Sequence, residues 1–169
     1  MSLTIRPATL DDAAELAEYA TRLFGEGLPG ILKRDVPTVE DERAFIRSFD
    51  APNRVLLLAV VDERIVGNLG FSGESLVEQA HSGEFGISVS TEYRGQGIGT
   101  ALIEALLAWA PEHGVSRIEV RSWANNPRAT ALYERMGFEY EGTLRAAVIR
   151  DGEPVDVLVM SCLLDPAVG

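Results

Sequence analysis

The stretch Ser90–Trp109, STEYRGQGIGTALIEALLAW, sets Gly95, Gly97 and Gly99 at alternate positions directly before a long apolar helical pattern. Ile98, Ala101, Leu102, Ala105, Leu106 and Trp109 recur at helical spacing, and Gly114 is expected to stop that helix ahead of the β-branched run VSRIEV. Upstream, SGEFGISVS reads as a strand. Strand, helix and strand in that order make a βαβ unit, so two neighbouring strands are expected to run parallel. A glycine loop between a strand and a helix start lets several backbone N–H groups point at one anion. No Cβ blocks the approach, and the helix dipole favours negative charge. Phosphate or pyrophosphate is the expected ligand, although a plain tight turn with close helix packing would use the same residues. Two other phosphate motifs fit worse. A P-loop needs Lys then Ser or Thr after its last glycine, where this chain has Thr100-Ala101. A dinucleotide fingerprint needs Gly or Ala where Thr100 stands, although Glu119 lies at a tolerable distance for a ribose contact.

Outward from this stretch, the N-terminal LTIRPA reads as a strand ending at Pro7, and TLDDAAELAEYATRLF as a helix with Thr9 at its N-cap and Asp11 and Asp12 in its first turn. GEGLPGILKRDVP, rich in Gly and Pro, is expected to be a mobile segment before a short helix opening near Thr38 and running through EDERAFIRSF. RVLLLAVVDERIVGNLGFSG is a hairpin signature, two apolar runs joined at Asp62-Glu63-Arg64. After VSRIEV, a second helix has Asn126 as N-cap and Pro127 at its first position, with Ala129, Leu132, Tyr133 and Met136 on one face and Gly137 as terminator. The final third, FEYEGTLRAAVIRDGEPVDVLVMSCLL, reads as two strands around Asp151-Gly152.

Composition bounds the function. At 169 residues and 46% hydrophobic content, one domain with a single mixed core is the economical reading. Twenty-six acidic against fifteen basic residues give a formal charge of −11, which argues against a nucleic-acid surface and favours cationic or amine-bearing partners over anionic ones, or simply serves solubility. The lone Cys162 excludes an internal disulfide, and His81 and His113 lie too far apart for metal-ligand spacing, so no metal is expected. A reducing, cytoplasmic setting is the expectation. No apolar run approaches the roughly 20 residues that span a bilayer, and MSLTIRPATLDD lacks the basic-then-apolar pattern of a signal peptide, so no membrane partner is expected.

Arg94-Gly95-Gln96-Gly97-Ile98-Gly99 resembles the acyl-CoA pyrophosphate loop of the GNAT superfamily of N-acetyltransferases, whose pattern is Arg or Gln, two residues, Gly, one residue, Gly or Ala. Asn126-Pro127-Arg128-Ala129 followed by Leu132-Tyr133-Glu134-Arg135-Met136-Gly137-Phe138 is similar to the family's Asn-x-x-Ala…Leu-Tyr…Gly-Phe helix, at the expected distance after the loop. The likeness extends to the opening TIRPATLDDAAEL and the C-terminal GTLR…VD…M strand pair. It implies one α/β (α+β) acetyltransferase domain over residues 1–169, with a mixed, mostly antiparallel sheet, one splayed parallel strand pair and about four helices. It also implies acetyl transfer from acetyl-CoA to a primary amine by direct attack in a ternary complex, with a small-molecule amine or a peptide N-terminus as acceptor. A homodimer follows from the resemblance alone.

The same resemblance distributes roles over the chain. Backbone N–H groups from Gly95 through Gln96, Gly97, Ile98, Gly99 and Thr100 would anchor the phosphates, with the Thr100 hydroxyl and Arg94 adding contacts. Ile87, Ser88 and Val89 map to the splayed strand that binds the pantetheine arm and turns one N–H to the thioester carbonyl. Asn126, Ala129 and Tyr133 complete the donor-contacting set. Tyr133 is the candidate proton donor to the departing thiolate, against the reading of a core tyrosine, and Glu84 the candidate base, against that of a solvated strand end. Cys162, in a hydrophobic strand with no histidine nearby in sequence, reads as a buried small residue, and His113 as a group that caps or solvates a helix end. Specificity is expected from the first two helices and the loop FGEGLPGILKRDVP, together with SGESLVEQAHSGE and the last hairpin. Two further classes stay open: a non-catalytic acyl-CoA-binding regulatory domain, and a dinucleotide-binding oxidoreductase.

Overall fold

Arg54–Val61 form strand β2, apolar on both faces: Val55, Leu57, Ala59 and Val61 enter one cluster of buried side chains, Leu56 and Leu58 another. A strand buried on both faces must have layers above and below it. The computed structural model, which describes residues 2–165, supplies both. With β1 (Leu3–Pro7), β3 (Arg64–Gly73), β4 (Ser82–Val89), β5 (Arg117–Trp123), β6 (Glu139–Arg150) and β7 (Glu153–Leu163), β2 builds one seven-stranded sheet in the order β1-β2-β3-β4-β5-β7-β6. Every pairing is antiparallel except β4 with β5. A doubly wound dinucleotide fold would need a mostly parallel sheet, so that reading falls here.

Helices α1 (Ala13–Gly25) and α2 (Val39–Arg47) cover one face through Leu16, Tyr19, Leu23 and Ile46. On the other face lie α3 (Ile98–Glu112), through Ile98, Leu102, Ile103 and Leu106, and α4 (Pro127–Arg135), through Tyr133. Each such side chain contributes about 1.5–3 kcal/mol relative to leaving it in water. Among the described residues, four α-helices and one parallel pair agree with the sequence reading.

Local chemistry sets the element ends, in places differently from expectation. The helix expected from Thr9 opens instead with a tight turn, Leu10–Asp12, before α1. Asp12 is the cause: its carboxylate accepts two hydrogen bonds from Arg6 (2.7 and 2.8 Å) and one from the Thr9 N–H (2.8 Å), which draws the first turn tighter than an α-helix. The β2–β3 turn has only two residues, Asp62 and Glu63, both at positive φ, and Arg64 already pairs with Val61. Thr38 caps α2, its hydroxyl accepting from the Asp41 N–H, and Gly114 and Gly137 adopt positive φ after α3 and α4. His113 sits at the end of α3, with Nδ1 2.8 Å from the Trp109 carbonyl and its ring stacked on the indole.

Residues 26–37, expected to be mobile, carry no regular element yet are tied down. Arg150, at the end of β6, donates hydrogen bonds to the carbonyls of Gly27, Leu28 and Ile31, and its guanidinium lies 4.8 Å over the Trp123 ring. The Asn126 amide donates to the Pro29 carbonyl at 3.4 Å, and Lys33 pairs with Asp151.

Candidate active site

The parallel ladder between β4 and β5 runs from Ser82↔Arg117 to Phe85↔Val120 and stops. β4 stays paired with β3 as far as Val89, and β5 with β7 as far as Trp123. Beyond Phe85 the two strands therefore diverge, and the backbone groups of Gly86–Val89 that would bond a parallel neighbour face a gap. A cleft of about 250 Å³ fills it. Ile87, Ser88, Val89, Arg94, Gly95, Gly97, Ile98, Gly99, Thr100, Asn126, Ala129 and Tyr133 all line that cleft. Gln96 does not: its side chain turns back to donate to the Glu92 carbonyl at 3.2 Å, which leaves only its main chain for a ligand.

The glycine loop closes one end of the cleft. Gly95 and Gly97 sit at φ +72° and +82°, a region costly for residues with a Cβ, and Gly97 is the N-cap of α3. Ala101 is the first residue of the helix to donate to a loop carbonyl, that of Gly97 at 3.0 Å, so the N–H groups of Ile98, Gly99 and Thr100 have no intrahelical partner. Gly99 serves packing: a Cβ there would come within 3.2 Å of Leu132, so its absence lets α3 and α4 approach. Arg94 donates through Nε to the Val89 carbonyl at 3.1 Å, fixing the loop to the end of β4 and leaving its terminal nitrogens for an anion. A helix N-terminus with unpaired donors and cations beside it is an anion site.

Tyr133 is only 6% exposed, with its ring set edge-on to Phe85 at 5.9 Å. Among the described residues no sealed polar side-chain atom lacks a hydrogen-bond partner, and the Tyr133 hydroxyl has no protein partner, so it opens into the cleft. Burial pushes its pKa up to about 12, which keeps the proton on the oxygen through the neutral range.

Alternation along β4 sends Glu84 to the opposite face from Phe85. There it lines a second, larger cavity of about 790 Å³ between the sheet, α1, α2 and the segment 30–37. Burial pushes the Glu84 carboxyl up, and Arg121, 3.5 Å away, offsets part of that rise. Gly30, Ile31, Phe85, Gly86, Ile87 and Ser88 line both cavities, so the two meet where β4 leaves β5. Cys162 lines neither; it is half-buried on β7, and burial pushes its thiol up, as for an inert packing residue.

Three residues to which the sequence reading gives no role shape this site. Arg128 lies across the glycine loop, its guanidinium 3.2 Å from where a Cβ on Gly95 would stand. It fills a variable position of the Asn-x-x-Ala motif, and its one signal was a cation on the helix facing the loop. Tyr19 of α1 donates to the Ser88 hydroxyl at 2.8 Å, because the Ser88 proton goes to the Asn68 carbonyl oxygen at 3.2 Å. Its burial pushes the phenol up to about 12, so it remains a donor and locks α1 to the splayed part of β4. Arg150 holds the segment shared by both cavities from some 120 residues away. Asn126 caps α4 through Oδ1 and holds Pro29 through Nδ2, both at 3.4 Å, so its side chain shapes the cleft's rim.

Residues 18–138 match the Acetyltransferase (GNAT) family. An L-amino acid N-acetyltransferase of Escherichia coli (strain K12) is 31% identical over 127 residues, covering 75% of this chain and 78% of that protein. The crystal structure of a GNAT-family acetyltransferase from Streptococcus pneumoniae superposes with a TM-score of 0.90 at 27% identity, over 96% of this chain and 100% of that one. A GNAT superfamily phosphinothricin acetyltransferase from Sinorhizobium meliloti, solved in complex with AcCoA, shares the fold with a TM-score of 0.86 at 21% identity, over 100% and 95% of the two chains.

Proposed function

Because the chain belongs to the acetyltransferase (GNAT) family, we propose that it moves the acetyl group of acetyl-CoA onto a primary amine by direct attack within a ternary complex. One observation carries this reading: the cleft ending at the glycine loop and the cavity holding Glu84 meet at Phe85–Ser88, where β4 has left β5. Two reactants entering from opposite faces of the sheet come into contact there and nowhere else in these two cavities.

The N–H groups of Gly95–Thr100, with Arg94 and Arg128, bind the pyrophosphate. The free edge of Gly86–Val89 holds the amide-bearing arm in place of a fifth-strand ladder, and one of its N–H groups donates to the thioester oxygen. Such a donor is worth on the order of 10²–10³ in rate. Glu84, its carboxyl raised by burial, takes a proton from the incoming ammonium directly or through water and frees the lone pair. A C–N bond then forms at the carbonyl carbon and the C–S bond breaks. Nitrogen loses a second proton to solvent as the amide forms, while Tyr133 gives one to sulfur and is reprotonated from solvent. Although a phenol at about 12 is a weak acid in water, the thiolate departs into the same desolvated cleft, where its own affinity for a proton rises too.

Cys162 lines neither cavity, which favours direct attack over an acetyl-cysteine route. Initial rates with acetyl-CoA varied at several fixed amine concentrations test this: intersecting double-reciprocal lines are expected, and parallel lines with an acetylated protein isolated in the absence of amine would overturn it.

A further inference from the structure

Glu42, on α2, is 8% exposed, and its carboxylate makes no hydrogen bond or ion pair with any described residue. A residue that is nine-tenths buried and carries an unpartnered carboxylate is costly, and natural interiors pair such groups. Its oxygens are not sealed, and Glu42 lines the second cavity together with Glu84. Burial pushes the Glu42 carboxyl up and neighbouring Asp41 adds to the rise, while Arg34 lowers it without approaching to ion-pair distance. Around the two carboxylates the cavity wall is apolar, from Leu16, Leu23 and Ile31 to Phe45 and Phe49, and Arg34 is its one cation against Asp35, Asp41, Glu42 and Glu84.

We propose that Glu42 is a specificity-determining residue that receives a second cationic group of the acceptor, so that the preferred substrate class is an aliphatic diamine lacking a free carboxylate. The juxtaposition sets the chemistry. One amine lies at Glu84 beside the gap, the hydrocarbon chain crosses the apolar wall, and the distal ammonium meets Glu42. A free amino acid would bring its carboxylate into a cavity with three more acidic than basic side chains, four against one. The inference rests on the acetyl-transfer reading above.

Three probes that share a five-carbon chain separate the possibilities: 1,5-diaminopentane, pentylamine and lysine, each assayed for coenzyme A release with the wild type and Glu42→Gln. The expected kcat/KM for the diamine exceeds that of both others by about tenfold or more, and Glu42→Gln removes most of this advantage over pentylamine. Thermal unfolding of the ligand-free variant serves as the control: the melting temperature is expected to hold or rise, because an unpaired buried charge has been removed. A diamine advantage that survives the substitution, or a preference for lysine that would make Arg34 a carboxylate anchor, overturns the inference and leaves acetyl transfer standing. No release with any of the three, in a protein that binds acetyl-CoA, overturns the inference, and acetyl transfer falls with it only if peptides and other primary amines give no release either.

Discussion

At the scale of single residues, the proposed acid Tyr133 and the proposed base Glu84 stand on opposite faces of one sheet. Tyr133→Phe removes only the hydroxyl from a ring that keeps its contacts with Phe85 and Phe138. Turnover is expected to fall on the order of 10²-fold, with acetyl-CoA affinity by calorimetry unchanged. Unchanged turnover would remove the acid role. For Glu84 the sign follows from its raised carboxyl: the basic form is lost as pH falls through that raised value, so kcat/KM drops on the acid side. Glu84→Gln is expected to lower kcat/KM and erase that limb, leaving only the ionisation of the amine. A pH profile parallel to the parent's excludes Glu84 as the base. Tyr133 adds no basic limb below about pH 11, because its pKa is pushed up to about 12.

At the scale of elements, the site is a consequence of two strands parting and of one loop being held over the place where they part. Arg150 supplies three of the contacts that hold residues 27–31, and Gly30 and Ile31 of that segment line both cavities. Arg150→Ala is expected to raise the KM of the amine by about tenfold while kcat stays within a few-fold, since no reacting group moves. An unchanged KM would mean that Lys33, Asn126 and packing suffice. The glycines at alternate positions and the Asn126-Pro127 start of α4 were legible because each is a local rule, a positive φ or a cap, that leaves its mark within a few residues. The two-sided apolar run of β2 was legible for the same reason, and the parallel β4–β5 pair followed from chain order. The contacts of Arg150 with Ile31 and of Tyr19 with Ser88 were not, because they join residues 119 and 69 positions apart and no periodicity encodes such a meeting. The tight turn before α1 escaped for a subtler reason: Asp12 was read as a helix-start charge, and its pull toward Arg6 depends on where β1 ends.

At the scale of the whole molecule, a single sheet separates two cavities of different character and joins them through one gap. The proposed anion-binding end, at Gly95–Thr100 and Arg128, lies on the α3–α4 side, whereas the carboxylates Glu42 and Glu84 face the α1–α2 side. A net charge of −11 suits the proposed division, since it would favour a cationic acceptor in solution while the helix N-terminus and its arginines would recover an anionic donor locally. Among the described residues no group of side chains is arranged to hold a metal ion, and no helix is long and apolar enough to cross a membrane. The central claim is that acetyl-CoA and an amine react across the β4–β5 gap, and release of free coenzyme A thiol by the purified protein, with and without primary amine, tests it most directly. The account predicts thiol release that requires the amine and is matched one for one by N-acetylated product. Tight acetyl-CoA binding with no amine-dependent release across a panel of diamines, monoamines, amino acids and peptides would contradict it and leave an acyl-CoA-binding regulatory domain in its place.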